Sequence, residues 1–188
     1  MSRARYDVLE TDIAGVLVVE TEPKDDSRGP FLETFRASAF AAHGVTHGWM
    51  QDNQALTYKA GIVRGMHFQA PPNDQAKLLR VISGAIYDVA VDIRRASRTY
   101  GRFVGRELSA ANGRQLYVPS GFAHGYCTLS DNTTVVYKVS AEYAPGGEGG
   151  LSWNDPALAI DWPLPAAQMT STERDLNWPA FAAFQSPF

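Results

Sequence analysis

The sequence has few of the features that mark secreted, membrane or nucleic-acid-binding proteins. It contains one cysteine, Cys127, which excludes a disulfide within the chain and which we expect to be a small buried hydrophobe. It has no apolar run long enough to span a membrane, and its first residues lack a secretory signal. The net charge of −3 disfavours a nucleic-acid-binding protein, which is usually basic. We therefore expect a soluble, cytoplasmic protein whose partners include neither membrane nor nucleic acid.

Strand patterns are abundant and helical patterns are few. With 188 residues, 45% of them hydrophobic, the chain has the size and apolar content of a single packed domain. We predict strands in short β-branched segments bounded by turn residues. These segments are residues 15–20, 78–81, 85–93, 114–118, 125–129 and 133–139. Many short strands predict an all-β sandwich or barrel spanning residues 1–188.

The remaining segments are predicted to be turns, short helices and a packed tail. Asp131-Asn132 has the residues of a tight turn, and residues 37–43 and 171–177 are predicted to form short helices. The glycine-rich segment 145–150 is predicted to be a flexible loop. Prolines and aromatic residues from about 162 to 188 predict a tail that packs over the β core.

The segment GIVRGMHFQ, residues 61–69, is the most informative part of the chain. In a strand, His67 and Gln69 share one face, and Arg64 points to the other face unless a bulge after Gly65 re-aims it. A histidine directed into a β structure is either a satisfied core residue or a reactive group. The chain has only four histidines, so His67 is a candidate functional residue.

A metal site is one interpretation of this segment. A metal-binding barrel of the cupin type has a His-x-His motif, a carboxylate and a distant histidine. Here Gln69 stands where the second histidine belongs, and His124 would be the distant ligand. Two histidines without a nearby carboxylate make a poor site, so the sequence disfavours a metal.

Acid–base chemistry is the favoured interpretation. Histidine accepts a proton near neutral pH, and a phenol such as Tyr137 can donate one. A base and an acid on opposite walls of a cavity can invert a carbon centre beside a carbonyl, and a cation such as Lys77 would stabilise the enolate. Each residue alone also has a structural interpretation: His67 and Tyr137 as core residues, and Lys77 as a surface residue.

The motifs, in their order, resemble the dTDP-4-dehydrorhamnose 3,5-epimerase family. The matching segments extend from about Asp26 to Asp175: DSRGPFLETFR, QDN, GIVRGMHFQ, QAKLL, GAIYDVAVDIR, VPSGFAHGY, VVYK and LSWNDPALAIDWP. The resemblance implies a cupin-like jelly roll with an N-terminal arm, residues 1–25, that pairs with a second subunit in a homodimer. It also implies a nucleotide-sugar substrate, dTDP-4-keto-6-deoxy-D-glucose, with inversion at C3 and C5 and no cofactor or metal.

The resemblance also implies residue roles. His67 is the base, Asp175 its orienting carboxylate, Tyr137 the acid and Lys77 the group that stabilises the enolate oxygen. Matching motif positions imply that substrate is bound by Arg28, Phe31, Glu33, Gln51, Asn53, Arg64, Gln69, His124, Glu148 and Arg174. The resemblance implies that the positions of Phe31 and Glu33 are often supplied across the dimer interface.

Two segments depart from the family pattern. Residues 54–57 read QALT where the family commonly has His-Ser-x-Ser, and Arg174 stands where the family commonly has lysine. These departures leave open a second interpretation, an epimerase that inverts only C3 or only C5. A non-catalytic nucleotide-sugar-binding module and a metal-dependent oxygenase are the alternatives from other functional classes.

Overall fold

The computed structural model describes residues 6–188, which form two antiparallel sheets, a small ribbon and two short helices. The helices are α1 (Ala37–Ala41) and α2 (Glu173–Leu176). The strands are β1 (Tyr6–Glu10), β2 (Leu17–Thr21), β3 (Lys24–Asp26), β4 (Gly29–Phe31), β5 (Gln51–Thr57), β6 (Val63–Gln69), β7 (Lys77–Ser83), β8 (Ala85–Asp92), β9 (Phe103–Ser109), β10 (Gln115–Val118), β11 (Phe122–Thr128), β12 (Thr133–Val139) and β13 (Glu148–Gly150). The predicted all-β class is confirmed.

The two sheets stack face to face. The six-stranded sheet has the order β1-β2-β10-β7-β12-β5, and the five-stranded sheet has the order β13-β6-β11-β8-β9. Most consecutive strands from β5 onward alternate between the sheets, with the β8–β9 hairpin as an exception. This crossing of the chain between two sheets is typical of a jelly roll.

Alternation along the strands builds the core between the sheets. Leu79 and Val81 on β7 and Val135 on β12 face Ile86 and Ala90 on β8, and all five are almost fully buried. Every second residue of these strands therefore points inward, as expected for half-buried strands. The same alternation decides which polar side chains face the gap between the sheets.

The C-terminal segment covers the outer face of the five-stranded sheet. A second cluster of buried residues, which includes Val89, packs against Trp162, Phe181, Phe184 and Phe188.

Within residues 6–188, no helix is long and apolar enough to cross a membrane.

The predicted strands and the turn are confirmed, but the predicted loop is partly wrong. Asp131-Asn132 is a turn, with Asn132 at φ +54°. Residues 148–150, predicted to be flexible, form β13, which pairs with β6. Glycine is poor in strands because it has no side chain to pack. At Gly150 a side chain would have no room, because the indole of Trp178 lies against the backbone.

Residues 6–21 fall within the segment expected to be an arm. They form β1 and β2, which lie together at one edge of the six-stranded sheet. β3 and β4 then form a separate two-stranded ribbon, outside both sheets.

Candidate functional site

A cleft opens between the sheets where β5, β7 and β12 face β6, β11 and β13. It has two adjoining lobes of about 330 Å³ and 280 Å³, which share His67, Lys77, Tyr137 and Glu148 in their walls. Most residues predicted to be functional line this cleft: His67, Tyr137, Lys77, Asp175, Arg64, Gln51, Asn53, Gln69, His124, Glu148 and Arg174.

His67 and Asp175 form a hydrogen-bonded pair in the cleft wall. His67 Nε2 lies 2.7 Å from Asp175 Oδ1, and the backbone N–H of Gly65 donates to Asp175 Oδ2 at 3.3 Å. Burial raises the pKa of Asp175, but the hydrogen bond and charge of His67, the N–H of Gly65 and the charge of Arg174 together outweigh burial and lower that pKa below its usual value. The ionised carboxylate holds the proton on Nε2 and leaves Nδ1 as the nitrogen that can accept one.

α2 sets the position of Asp175. Thr172 caps this short helix, because its Oγ1 accepts a hydrogen bond from the backbone N–H of Asp175 at 3.3 Å. The side chain of Asp175 is thereby buried beside β6, although the residues on either side of it are exposed.

A β-bulge turns Arg64 and His67 toward the same cleft. In the register of β6 with β11, His67 faces His124 and Arg64 faces Tyr126, so β6 has one extra residue over this interval. The extra residue reverses the alternation and re-aims Arg64. Gly65 permits the bulge: its φ is +143°, and a Cβ there would lie 2.5 Å from the Cα of Gly125.

Tyr137 and Lys77 lie on the opposite sheet from His67. They are on the paired strands β12 and β7, where Lys77 is opposite Val139 and Tyr137 is opposite Leu79, so both point into the cleft. Burial raises the pKa of Tyr137 above its usual value, against a smaller opposing effect of Arg64. Burial lowers the pKa of Lys77 to about 8, against the carboxylates of Glu148 and Asp88.

A second histidine–carboxylate pair lies deeper in the cleft. His124 Nε2 is 2.7 Å from Oδ1 of Asp88, which is fully buried on β8. Burial raises the pKa of Asp88, while His124 and Lys77 act in the opposite direction. Asp88 therefore interacts electrostatically with His124 on its own sheet and with Lys77 on the other sheet.

Arg174 joins the two carboxylates at the cleft mouth. Its Nη1 lies 3.1 Å and 3.2 Å from the carboxylate oxygens of Glu148, and its Nε lies 3.4 Å from Asp175 Oδ1. The planar guanidinium uses two different nitrogens for these contacts, which a lysine cannot do. Glu148 also accepts a hydrogen bond from the Tyr143 hydroxyl at 2.9 Å.

Three amide side chains line the neighbouring lobe. Gln51 Nε2 donates to Asn53 Oδ1 at 2.7 Å, and Gln51 Oε1 accepts from the backbone N–H of Tyr143 at 2.9 Å. Gln69 Oε1 accepts from the backbone N–H of Ala144 at 2.8 Å. Gln69 Nε2 is buried and has no partner within residues 6–188. This lobe therefore offers donors and acceptors suited to a polar ligand.

Arg28, Phe31 and Glu33 do not line the cleft formed by residues 6–188 of their own chain. The Arg28 side chain is 85% exposed and pairs with Asp26, and Phe31 is 70% exposed. Glu33 forms an ion pair with Arg36 at 2.6 Å. The structure thus separates these three predicted binding residues from the others.

Sequence reasoning missed three side chains at the site. Asp88 interrupts the apolar strand AIYDVAVD, and an acidic residue in a buried strand is a signal that could have found it. Tyr126, buried beside Arg64, follows the His124 motif, and Tyr143 precedes the glycine-rich segment. Neither tyrosine carries a signal in the sequence that separates it from a packing residue.

The described residues offer no metal centre. In residues 6–188 there is no group of three or more histidine, cysteine, aspartate or glutamate side chains placed to hold a metal ion. His67 and His124 are each paired with a carboxylate instead.

Comparisons with known proteins identify relatives along nearly the whole chain. Residues 10–183 match the family described as dTDP-4-dehydrorhamnose 3,5-epimerase. An enzyme of that name from Methanothermobacter thermautotrophicus is 42% identical over 176 residues, covering 93% of this chain and 94% of the relative.

Solved structures confirm the cupin-like jelly roll. The Legionella pneumophila dTDP-6-deoxy-D-glucose-3,5-epimerase, in complex with dTDP-4-keto-L-rhamnose, matches with a TM-score of 0.90 and 36% identity, covering 96% of this chain and 95% of that one. ChmJ, a 3′-monoepimerase from Streptomyces bikiniensis in complex with dTDP-quinovose, matches with a TM-score of 0.84 and 32% identity, covering 93% and 87%.

We predict that the bulge at Gly65 is essential for stability. In the Gly65→Ala variant, the new methyl group collides with the Gly125 backbone, so we expect a loss of at least about 2 kcal/mol of unfolding free energy in urea. Gly146→Ala is the matched control, because no atom lies within 4 Å of its Cβ position. Equal stability of the two variants would contradict the proposed close approach.

Proposed function

Because the chain belongs to the dTDP-4-dehydrorhamnose 3,5-epimerase family, we propose that it converts dTDP-4-keto-6-deoxy-D-glucose to dTDP-4-keto-L-rhamnose. The enzyme is an isomerase, and its product would supply dTDP-L-rhamnose biosynthesis. The observation that carries the proposal is the placement of His67 and Tyr137 on opposite sheets, facing one cleft.

The reaction needs a base on one face of the sugar ring. The C4 ketone makes the hydrogens on C3 and C5 acidic, because the electron pair left behind passes to the ketone oxygen. His67 Nδ1 takes the proton, and Asp175, hydrogen-bonded to Nε2, stabilises the imidazolium that forms. The same base serves both carbons, since C3 and C5 flank the ketone.

The enolate needs a cation, and the inverted carbon needs a proton from the other face. Lys77, a buried ammonium in the cleft wall, stabilises the enolate oxygen. Tyr137, whose raised pKa keeps the phenol protonated at neutral pH, donates its proton to the carbon. The imidazolium then loses its proton to solvent and the phenolate regains one, so each inverted centre carries a hydrogen from water.

Polar groups around the reacting centre would hold the rest of the substrate. The guanidinium of Arg64 and the ring of His124 suit the diphosphate and sugar oxygens. Gln51, Asn53 and Gln69 suit the edges of the nucleotide. Glu148 and Arg174 close one side of the cleft.

We propose that a second copy of the chain completes the site. The exposed Arg28 and Phe31 lie on the β3–β4 ribbon, which forms a sheet of its own within residues 6–188. β5 lies at the edge of the six-stranded sheet, next to the exposed Met50 and Tyr58. A homodimer would cover this edge and bring Arg28, Phe31 and Glu33 to the neighbouring cleft.

Inversion at a single centre is the second candidate function. The structural similarity to the 3′-monoepimerase ChmJ favours this candidate. The two candidate functions share the base, the acid and the cation. They differ only in whether hydrogen is exchanged with water at one carbon or at both. We also propose a cytoplasmic location, which fits the fully buried thiol of Cys127.

The direct test is incubation with dTDP-4-keto-6-deoxyglucose in deuterated water, followed by NMR. We predict deuterium at both C3 and C5, and a loss of about 1,000-fold in kcat for His67→Ala with dTDP binding retained. Label at one carbon would establish the single-centre enzyme. Binding of dTDP without label would indicate a binding module.

The pKa of Lys77 predicts the alkaline limb of the activity profile. Its folded-state pKa is lowered to about 8, so the ammonium is present below pH 8 and is lost as the pH rises above it. We therefore expect kcat/KM to fall above about pH 8. In Lys77→Arg this limb should move upward, whereas the exposed-residue control Lys59→Met should keep the wild-type profile. A flat wild-type profile from pH 7 to 10 would exclude Lys77 as the required cation.

Mixing two inactive variants tests the shared site. His67→Ala and Arg28→Ala are each expected to be nearly inactive, but a mixed dimer has one site with both residues intact. After random subunit exchange, about one quarter of wild-type activity should return. No recovery, despite mixed dimers shown by mass spectrometry, would place Arg28 in the cleft of its own chain.

A further inference from the structure

Trp178 lies directly beside the proposed base. The centroids of its indole and of the His67 imidazole are 6.1 Å apart, and the ring planes meet edge-on at 70°. The indole Nε1 is buried, so the ring is packed against the protein. Within residues 6–188, Trp178 does not belong to the apolar core clusters. Its packing against His67 is therefore separate from the core.

Gly150 makes room for this indole. Gly150 is opposite His67 in the register of β13 with β6, so any side chain there would stand next to the imidazole. A Cβ at position 150 would lie 2.5 Å from the indole carbons Cδ2 and Cε2. The space that a side chain on the neighbouring strand would fill is occupied by Trp178.

One short segment fixes His67 from two directions. It carries Asp175, which binds Nε2 at 2.7 Å, and Trp178, which lies against the ring. The carbonyl of Pro179 accepts a hydrogen bond from the backbone N–H of Ser152 at 3.0 Å, which ties the segment to the end of β13. The hydrogen bond contacts one atom of the imidazole, and the indole lies edge-on to its ring.

We propose that Trp178, seated on Gly150, is a positioning residue that sets the ring plane of His67. The inference rests on the proposed function, in which one base must reach two carbons. Rotation of an imidazole about its last side-chain torsion has only broad preferences, so the orientation must come from neighbouring groups. Small errors in the position of a base cost rate, because proton transfer needs close alignment.

Kinetics of variants test this role. We expect Trp178→Ala to lower kcat by about 10-fold or more with KM within about 2-fold, and Trp178→Phe to restore most of the rate. Gly150→Ala should give a similar loss, because its methyl displaces the indole without removing it. Leu176→Ala is the matched control on the same segment, since Leu176 is 53% exposed. Unchanged kcat in Trp178→Ala, or a loss that Trp178→Phe does not rescue, would overturn the proposal.

A measurement without turnover separates this inference from the proposed function. In protein with isotope-labelled histidine, NMR relaxation reports the order of the His67 ring, with its signal assigned by the His67→Asn variant. We expect the ring to be more mobile in Trp178→Ala than in wild type or Leu176→Ala. An equally ordered ring would overturn the proposal even if the enzyme were active. Absence of deuterium exchange in wild type would instead reject the proposed function.

Discussion

The hydrogen bond between His67 and Asp175 joins two parts of the chain that are 108 residues apart. His67 lies on strand β6, and Asp175 lies in the capped helix α2 of the C-terminal tail. The tail can hold Asp175 in place because its aromatic residues cover the outer face of the same sheet. Folding of the tail therefore places the carboxylate that contacts His67, the proposed base.

The sandwich separates the two proposed proton-transfer groups, as inversion would require. His67 belongs to the five-stranded sheet, whereas Tyr137 and Lys77 belong to the six-stranded sheet. Burial acts on two side chains of the cleft: it keeps the Tyr137 phenol protonated and lowers the pKa of Lys77 to about 8. Asp175, held ionised by its pairing, keeps a proton on His67 Nε2. The fold thus supplies opposite faces, and the local environment supplies the protonation states.

The sequence predicts the strands because they are short β-branched segments bounded by turn residues. It predicts His67, Lys77 and Tyr137 as a set from their acid–base chemistry and from the resemblance of their motifs to a family. It does not predict β13, because two of its three residues are glycines with no strand pattern, and the strand forms by pairing with β6, which is distant in the sequence. Asp88 is marked by its place in an apolar strand, but its partners His124 and Lys77 come from two other strands, which the sequence does not bring together. The separation of Arg28 from the cleft of its own chain is a property of the three-dimensional arrangement, which motif order does not contain. For Phe31 the resemblance already implies a position across the dimer interface.

The Tyr137→Phe variant in deuterated water tests most directly whether a base and an acid act from opposite walls of the cleft. We predict that inversion falls by about 100-fold or more while His67 still exchanges substrate hydrogen for deuterium with retained configuration. Recovered substrate would then carry label without a change in stereochemistry. Inversion at the wild-type rate in Tyr137→Phe would contradict the account, because the proton would have to come from another group.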